Sequence, residues 1–360
     1  MPYSYAHYTE AFLCLNDDNL AAFKVKCDRP SFYINYKFDS TSYSLLAFAT
    51  QSGAFNCLEY LLTYPDINVN ITTDTGKSPL HILENQLTYP MPPENIAKLF
   101  KCLELLLKHP QIRINQPTWD GHTPLHLAIC DLQKTLYSFD VNCALFRFFK
   151  ILMAQSLIDI NQPNHLGDTP LHSAILFNND DAISALLRHP SILINQFSLN
   201  ASHQYRKSNY HYEHATPLHL AISSSSKNAV PLLLSHPDCN PYLTNLFGQT
   251  PLHLCAFLRD TLNLQYLLAT ITTGLLEFSP FFLQMVMTTI LCNQHSSTRL
   301  PSSLLFLIFA NWRIPPIHQR DKNGQTPLQY MLAAPVDTPF IRYHPSFTQT
   351  LTENCVALLA

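Results

Sequence analysis

One tetrapeptide constrains this chain more than any other feature, because it returns along most of the sequence. Thr-Pro-Leu-His occurs four times without change, and near or degenerate copies extend the series. The exact copies begin at Thr123, Thr169, Thr216 and Thr250, the near copies at Ser78 and Thr326, and a degenerate copy at Tyr43. A sequence with this internal repetition predicts a repeat architecture, in which each copy forms one structural element of the same kind.

Each copy predicts the start of a helix. A Thr or Ser hydroxyl accepts a hydrogen bond from a free backbone N–H, and Pro at the first helical position has no N–H to leave unpaired. We expect the Leu to point into the core and the His to hydrogen-bond locally and to the next repeat. Glycine precedes the Thr or Ser by two residues, where a tight turn needs positive φ. Five of the seven glycines occupy this position: Gly76, Gly121, Gly167, Gly248 and Gly324.

A second apolar helix and a loop ending in asparagine follow each copy. Cys57–Leu62 and Cys102–Leu107 are two such helices, and their loops are Tyr64–Asn70 and His109–Asn115. These residues resemble the ankyrin repeat family, whose pattern is a β-turn and two antiparallel helices with Thr-Pro-Leu-His opening the first. The resemblance covers nearly the whole chain. It implies an all-α ankyrin-repeat solenoid of about eight helix-turn-helix units, with β-turn fingers and helical or loop insertions, but it says little about function.

The spacing of the copies locates insertions. Starts of the third to sixth repeats lie 45, 46 and 47 residues apart, whereas an ankyrin repeat has about 33. The three prolines Pro90, Pro92 and Pro93 predict that the first excess forms a loop between two helices. The predicted domains are a capping repeat at 1–38, repeats at 39–273 with insertions at 85–95, 131–142 and 198–213, a helical insertion at 274–316, and a C-terminal repeat at 317–360.

Composition narrows the classes of partner and compartment. The net charge is −3 and 13% of residues are charged, which argues against a nucleic-acid-binding protein, for which a basic stripe is expected. The ten Cys are scattered without Cys-x-x-Cys spacing, which indicates a reducing, cytoplasmic location. The apolar run 274–292 is interrupted by Glu277 and Pro280, so we expect no transmembrane segment. We also expect a monomer.

Chemical motifs are few. Eight of the 17 His belong to the repeat motif or precede Pro at helix ends, and no four-ligand set for zinc is evident. A nucleophile elbow, a phosphate-binding glycine loop and a His-Glu-x-x-His motif do not occur. We therefore predict no enzyme activity, no metal and no cofactor, and leave open a catalytic Cys/His pair within 274–316.

The tips of the predicted fingers carry aromatic and polar residues suited to binding a protein. Aromatic side chains are common hot spots of protein interfaces. Trp119 and Phe247 have an alternative role, in which they fold back onto the adjacent hairpin. The candidate partner-binding residues are Trp119, His122, His165, Tyr205, Tyr210, Tyr212, Phe247 and Gln249.

The loop asparagines suggest a modification. Asn70, Asn115 and Asn195 each follow a Leu by eight residues, which resembles the spacing of ankyrin asparagines that an asparaginyl hydroxylase modifies. Asn161 has Met153 in that place and fits less well. The alternative is that each Asn bonds its own turn.

These features predict a protein–protein interaction scaffold that binds its partner on the concave face of fingers and first helices. Low charge, long insertions and degenerate repeats also resemble ankyrin effectors that intracellular bacteria inject into host cells through a type IV system, which implies a host protein as partner. The alternative function is an ankyrin array that presents a catalytic or lipid-contacting element at 274–316.

Overall fold

A computed structural model describes residues 5–28, 32–38, 43–134, 139–198, 214–224, 226 and 228–258, with separate residues between 260 and 270, and 319–329 except 328. The chain divides into two compact units, Met1–Leu193 and Ile194–Ala360. The predicted insertion at 274–316 and the finger tip that carries Tyr205, Tyr210 and Tyr212 lie outside the described residues.

The first unit consists of successive helix pairs. Its helices are α1 (Tyr5–Asn16), α2 (Leu20–Cys27), α3 (Leu45–Ser52), α4 (Phe55–Leu62), α5 (Pro79–Leu87), α6 (Pro93–Lys108), α7 (Pro124–Lys134), α8 (Phe139–Met153), α9 (Pro170–Leu176) and α10 (Asp180–Leu187).

The second unit continues the pattern with α11 (Pro217–Ser223), α12 (Ala229–Leu234) and α13 (Pro251–Leu258). Extended pairing in the described part of the chain consists of two isolated bridges, Lys37 with Ser44 and Ser198 with Ala215. The predicted all-α class is therefore confirmed. None of the described helices combines the length and the apolar character needed to cross a membrane.

The tetrapeptide opens helices for the predicted reason. Thr169 lies in extended conformation before α9, and its hydroxyl accepts a hydrogen bond from the backbone N–H of His172. In return, the backbone N–H of Thr169 donates to Nδ1 of His172 at 3.2 Å. This is a capping box in which His replaces the usual Glu, and it recurs at α5 and α11. The motif leucines that the structure describes, including Leu125 and Leu171, are buried.

The prediction of a loop at 85–95 is wrong in its extent. Helix α5 continues to Leu87, and α6 begins at Pro93 and runs for 16 residues. Pro93 is tolerated because it occupies the first helical turn, and Glu94 in that turn interacts favourably with the helix dipole. Most of the extra residues therefore lengthen the second helix of this repeat. The second helix of the preceding repeat, α4, has only eight residues.

The predicted insertion at 131–142 lies partly in helices, and its residues 135–138 lie outside the described residues. Helix α7 ends at Lys134 and α8 begins at Phe139 and has 15 residues. Phe148 and Phe149 on this helix are fully buried. The long α6 thus takes up residues that the sequence predicted as a loop, because its apolar face packs against the neighbouring repeats.

Buried cysteines and one aspartate complete the packing of the first repeats. Cys57 and Cys102 are fully buried, and burial raises the pKa of both thiols to about 12. Helix α4 follows Ala54 and has no side-chain cap of its own. Asp18, at φ 48°, instead accepts hydrogen bonds from the backbone N–H groups of Asn56 at 3.2 Å and Cys57 at 3.0 Å. The first repeat therefore caps a helix of the second.

Candidate functional site

The finger turns share one hydrogen-bonding scheme. In the turn that starts at Asn164, the side-chain Oδ1 accepts from the backbone N–H groups of Leu166 and Asp168, both at 2.9 Å. Asn245 and Asp321 repeat this arrangement in the second unit. A side-chain oxygen thus satisfies N–H groups that the turn leaves unpaired. The turn glycines all have positive φ, between 73° and 81°.

Neighbouring fingers are joined through their backbones. The N–H of Trp119 donates to the carbonyl of Thr75 at 3.4 Å, and the N–H of His165 donates to the carbonyl of Asp120 at 3.1 Å. In the second unit, the N–H of Lys322 donates to the carbonyl of Phe247 at 2.9 Å. In each pair, the second residue of one turn bonds the third residue of the preceding turn.

This junction requires glycine in the preceding turn. A Cβ atom on Gly76 would lie 2.6 Å from the backbone N of Trp119 and 2.7 Å from its Cδ1 atom. A Cβ atom on Gly121 would collide with the backbone N of His165. The absence of a side chain therefore lets consecutive fingers approach closely, and it fixes where the second residue of each turn lies.

Trp119 and His165 are the exposed members of the candidate set in the first unit. Trp119 is 68% exposed although its indole edge lies against Gly76. The ring therefore contacts the adjacent hairpin and still presents most of its surface to solvent. His165 is also exposed.

His122 holds the fingers together instead of projecting from them. Its carbonyl accepts from Nε2 of His81 at 3.0 Å, and its Nε2 lies 3.3 Å from Nδ2 of Asn164. Its ring meets that of His126 edge-on with centroids 5.8 Å apart.

Gln249 has a similar structural role in the second unit. Its backbone N–H donates to Asn245 Oδ1 at 2.9 Å, and its carbonyl accepts from Nε2 of His219 at 2.9 Å. Phe247 is half-buried. Leu246, which the sequence analysis did not select, is 38% exposed. It occupies the same turn position as Trp119. Aligning the repeats by their turns would therefore have selected Leu246 as an exposed finger residue.

The motif histidines are neutral structural groups. Burial lowers the pKa of His126 to about 3 and those of His81 and His219 to about 4. Nδ1 of His126 accepts from the backbone N–H of Thr123, while its Nε2 lies 3.0 Å from the carbonyl of Asp168 in the next repeat. The proton is therefore on Nε2. The described residues contain no group of three His, Cys, Asp or Glu arranged to hold a metal ion.

The side chains of the loop asparagines bond the backbone of the next repeat. Asn115 Nδ2 donates to the carbonyl of Leu157 at 2.7 Å, and its Oδ1 accepts from the N–H of Asp159 at 2.9 Å. The same two-point contact recurs at five positions: Asn35, Asn70, Asn115, Asn161 and Asn195. The alternative role given to these asparagines in the sequence analysis was a bond within their own turn, whereas these bonds reach the next repeat. Asn161 makes the same two bonds as the others.

Comparison with known proteins identifies the architecture. The family described as ankyrin repeats (3 copies) matches residues 96–197, 140–244 and 192–274. The chain therefore belongs to the ankyrin repeat family, as the resemblance indicated. No curated protein sequence matches it. Ankyrin repeats are generally protein–protein interaction scaffolds and are typically non-catalytic.

Solved ankyrin repeat domains are similar to this chain. The ankyrin repeat domain of Bcl-3, described as a unique member of the IkappaB protein family, has a TM-score of 0.52 and 18% identity, and the match covers 68% of this chain and 92% of that one. The human ASB11 ankyrin repeat domain has a TM-score of 0.45 and 21% identity, with 72% and 96% covered. At such identities the first of these matches indicates the fold alone.

Proposed function

We propose that this protein binds a protein partner on the surface formed by its ankyrin fingers and first helices, without catalysing a reaction. The observation that supports this most is Trp119, whose large ring is 68% exposed on a finger that backbone hydrogen bonds hold in place. Aromatic side chains fixed before binding lose little entropy on association and often dominate interface energies. His165 lies on the next finger and extends the same surface.

The partner in this proposal is a host-cell protein, and the chain is an effector that an intracellular bacterium delivers. The support is compositional: few charged residues and repeats of unequal length. A translocation reporter fused to the chain and expressed in such a bacterium tests the delivery. Reporter signal in host cytoplasm that requires the type IV apparatus is the expected result, and signal that is absent or independent of the apparatus would contradict it.

The binding proposal is tested by recovery of partners from host-cell lysate with the wild-type protein and two double variants. Trp119→Ala with His165→Ala removes the exposed finger side chains of the first unit. Tyr89→Ala with Leu157→Ala is the matched control, since Tyr89 and Leu157 are 57% and 72% exposed in the same unit but lie away from the fingers. Quantitative mass spectrometry compares the proteins recovered.

We expect a protein that the control retains and the finger variant loses, at unchanged melting temperatures. Equal recovery by both variants would refute a role for the fingers. A partner that is lost only when 274–316 is deleted would favour the alternative function of that insertion.

A further inference from the structure

A second surface of the first unit carries a concentration of positive charge. The exposed residues Lys98 and Lys101 lie on α6, and the exposed residues Arg147 and Lys150 lie on α8. We call these four residues the basic patch. The whole chain has 22 Lys and Arg in 360 residues, so four on the faces of two second helices are a local excess. Like charges three residues apart on one helix repel each other.

The repeats place these residues side by side. Lys101 and Arg147 each lie 14 residues before the loop asparagine of their own repeat, Asn115 and Asn161. Because those asparagines occupy the same place in consecutive repeats, Lys101 and Arg147 are neighbours on adjacent helices. Lys98 and Lys150 then lie about one helical turn away, Lys98 before Lys101 and Lys150 after Arg147.

Aromatic rings hold the cations in position. The guanidinium of Arg147 lies 4.1 Å from the ring centre of Phe100, and the ammonium of Lys101 lies 4.6 Å from that of Phe55. Both are contacts from one repeat to the preceding one. Lys150 lies 4.3 Å over Phe146 on its own helix. Such contacts restrict a long side chain while its N–H groups keep the capacity to bind an anion.

The ion pairs of the described residues lie away from the patch. The pairs Lys26–Glu10 and His236–Asp238 are examples, and neither involves α6 or α8. Acidic residues instead surround the patch. Glu104 lies beside Lys150 in the register of the repeats and three residues after Lys101 on α6. Glu59 occupies the same position as Glu104 in the preceding repeat, and Asp181 follows Arg147 in the next repeat.

We propose that the basic patch binds a short acidic segment of a protein partner, on a surface separate from the fingers. The surrounding carboxylates favour a small ligand, because a membrane surface or a nucleic acid extends beyond four residues and meets Glu59, Glu104 and Asp181. Alternate residues of an extended peptide project on one side about 7 Å apart. This is close to the roughly 5–6 Å between residues three apart on a helix. A segment with an acidic residue at every second position therefore fits.

The test uses a fluorescent ten-residue peptide of alternating glutamate and serine, with glutamine replacing glutamate in the neutral control peptide. Anisotropy at low salt measures binding to the full chain. The test variant is Lys101→Gln, Arg147→Gln and Lys150→Gln. The matched control variant, Lys108→Gln, Arg113→Gln and Arg188→Gln, removes the same charge near the loops of the same unit.

We expect the acidic peptide to bind the wild type and the control variant, and the patch variant to bind about tenfold more weakly or not at all. Added salt weakens this binding. The single substitution Lys150→Gln is expected to give a smaller loss of affinity for the acidic peptide. It replaces the triple variant in the test if the triple variant has a lowered melting temperature. Equal affinity of patch and control variants, or no binding of the peptide by the wild type, overturns the proposal.

Two further probes separate the classes of partner. Vesicles of phosphatidylserine in phosphatidylcholine and a short DNA duplex are titrated against the same three proteins. Weaker binding of both than of the peptide supports a protein partner. Tighter binding of either one that depends on the basic patch would overturn the proposal and assign the surface to that class of anion.

Discussion

His126→Gln is expected to make the stability of the protein less sensitive to acid. Burial lowers the pKa of His126 from 6.5 to about 3. Below pH 6.5 the unfolded chain therefore takes up a proton that the folded protein excludes, and the free energy of unfolding falls with pH. The loss is about 1.4 kcal/mol for each pH unit per histidine. Between pH 6.5 and 5.0, His126 accounts for about 2 kcal/mol of the loss in free energy of unfolding.

Glutamine already occurs at this motif position in another repeat of the chain. At the last copy of the motif, Gln329 occupies the position of the histidine, and its Oε1 accepts from the backbone N–H of Thr326 at 2.8 Å. Glutamine therefore preserves the capping bond and does not titrate. At pH 7 we expect His126→Gln to keep most of the wild-type free energy of unfolding. As the pH falls, this free energy should decrease less in the variant than in the wild type.

Urea unfolding followed by far-UV circular dichroism at pH 7.0, 6.0 and 5.0 measures this difference. The control is His165→Gln, which makes the same replacement at an exposed histidine of the same unit. This control is expected to keep the wild-type pH dependence. If His126→Gln and the wild type lose the same free energy between pH 7.0 and 5.0, the assignment of a neutral buried histidine is wrong.

Three further predictions concern the loops and fingers. Asn115→Ala should lower the free energy of unfolding by about 1–2 kcal/mol, because it removes two inter-repeat hydrogen bonds. The control Asn85→Ala, within α5, should change the free energy of unfolding little. Urea titration of both variants measures the difference. Gly121→Ala should destabilise more than Gly324→Ala, since both have positive φ but only Gly121 faces a close backbone, and the melting temperatures should differ in that order. Co-expression with an asparaginyl hydroxylase should add the mass of one oxygen to the peptide containing Asn115 or Asn195, and unmodified peptides would end that proposal.

The sequence predicted the helix starts because their causes are local. The hydroxyl of Thr169, the Pro that follows it and the His three residues on interact within one turn of helix. The turn glycines were equally clear, since positive φ is a property of a single residue. What the repeating motif specifies is therefore visible without a structure.

The missed features depend on neighbouring repeats. Pro93 looked like part of a loop, but a proline at the start of a helix is compatible with the long α6 that the adjacent helices support. Asp18 caps α4 from a different repeat, so its role leaves no local pattern. The finger residues were identified by type, but whether a ring such as that of Trp119 projects or packs depends on the glycine of the preceding repeat.

The asparagine contacts also bear on how such a chain evolves. Each amide recognises backbone atoms of the following loop, and the carbonyl it bonds belongs to a different type of residue nearly every time: Asp66, Gln111, Leu157, Ser191 and Asp238. The contact between repeats therefore does not depend on which side chains the following loop carries. Repeats can be duplicated, exchanged or diversified on their outer surfaces while the joint between them stays intact, which leaves new binding specificities open to selection.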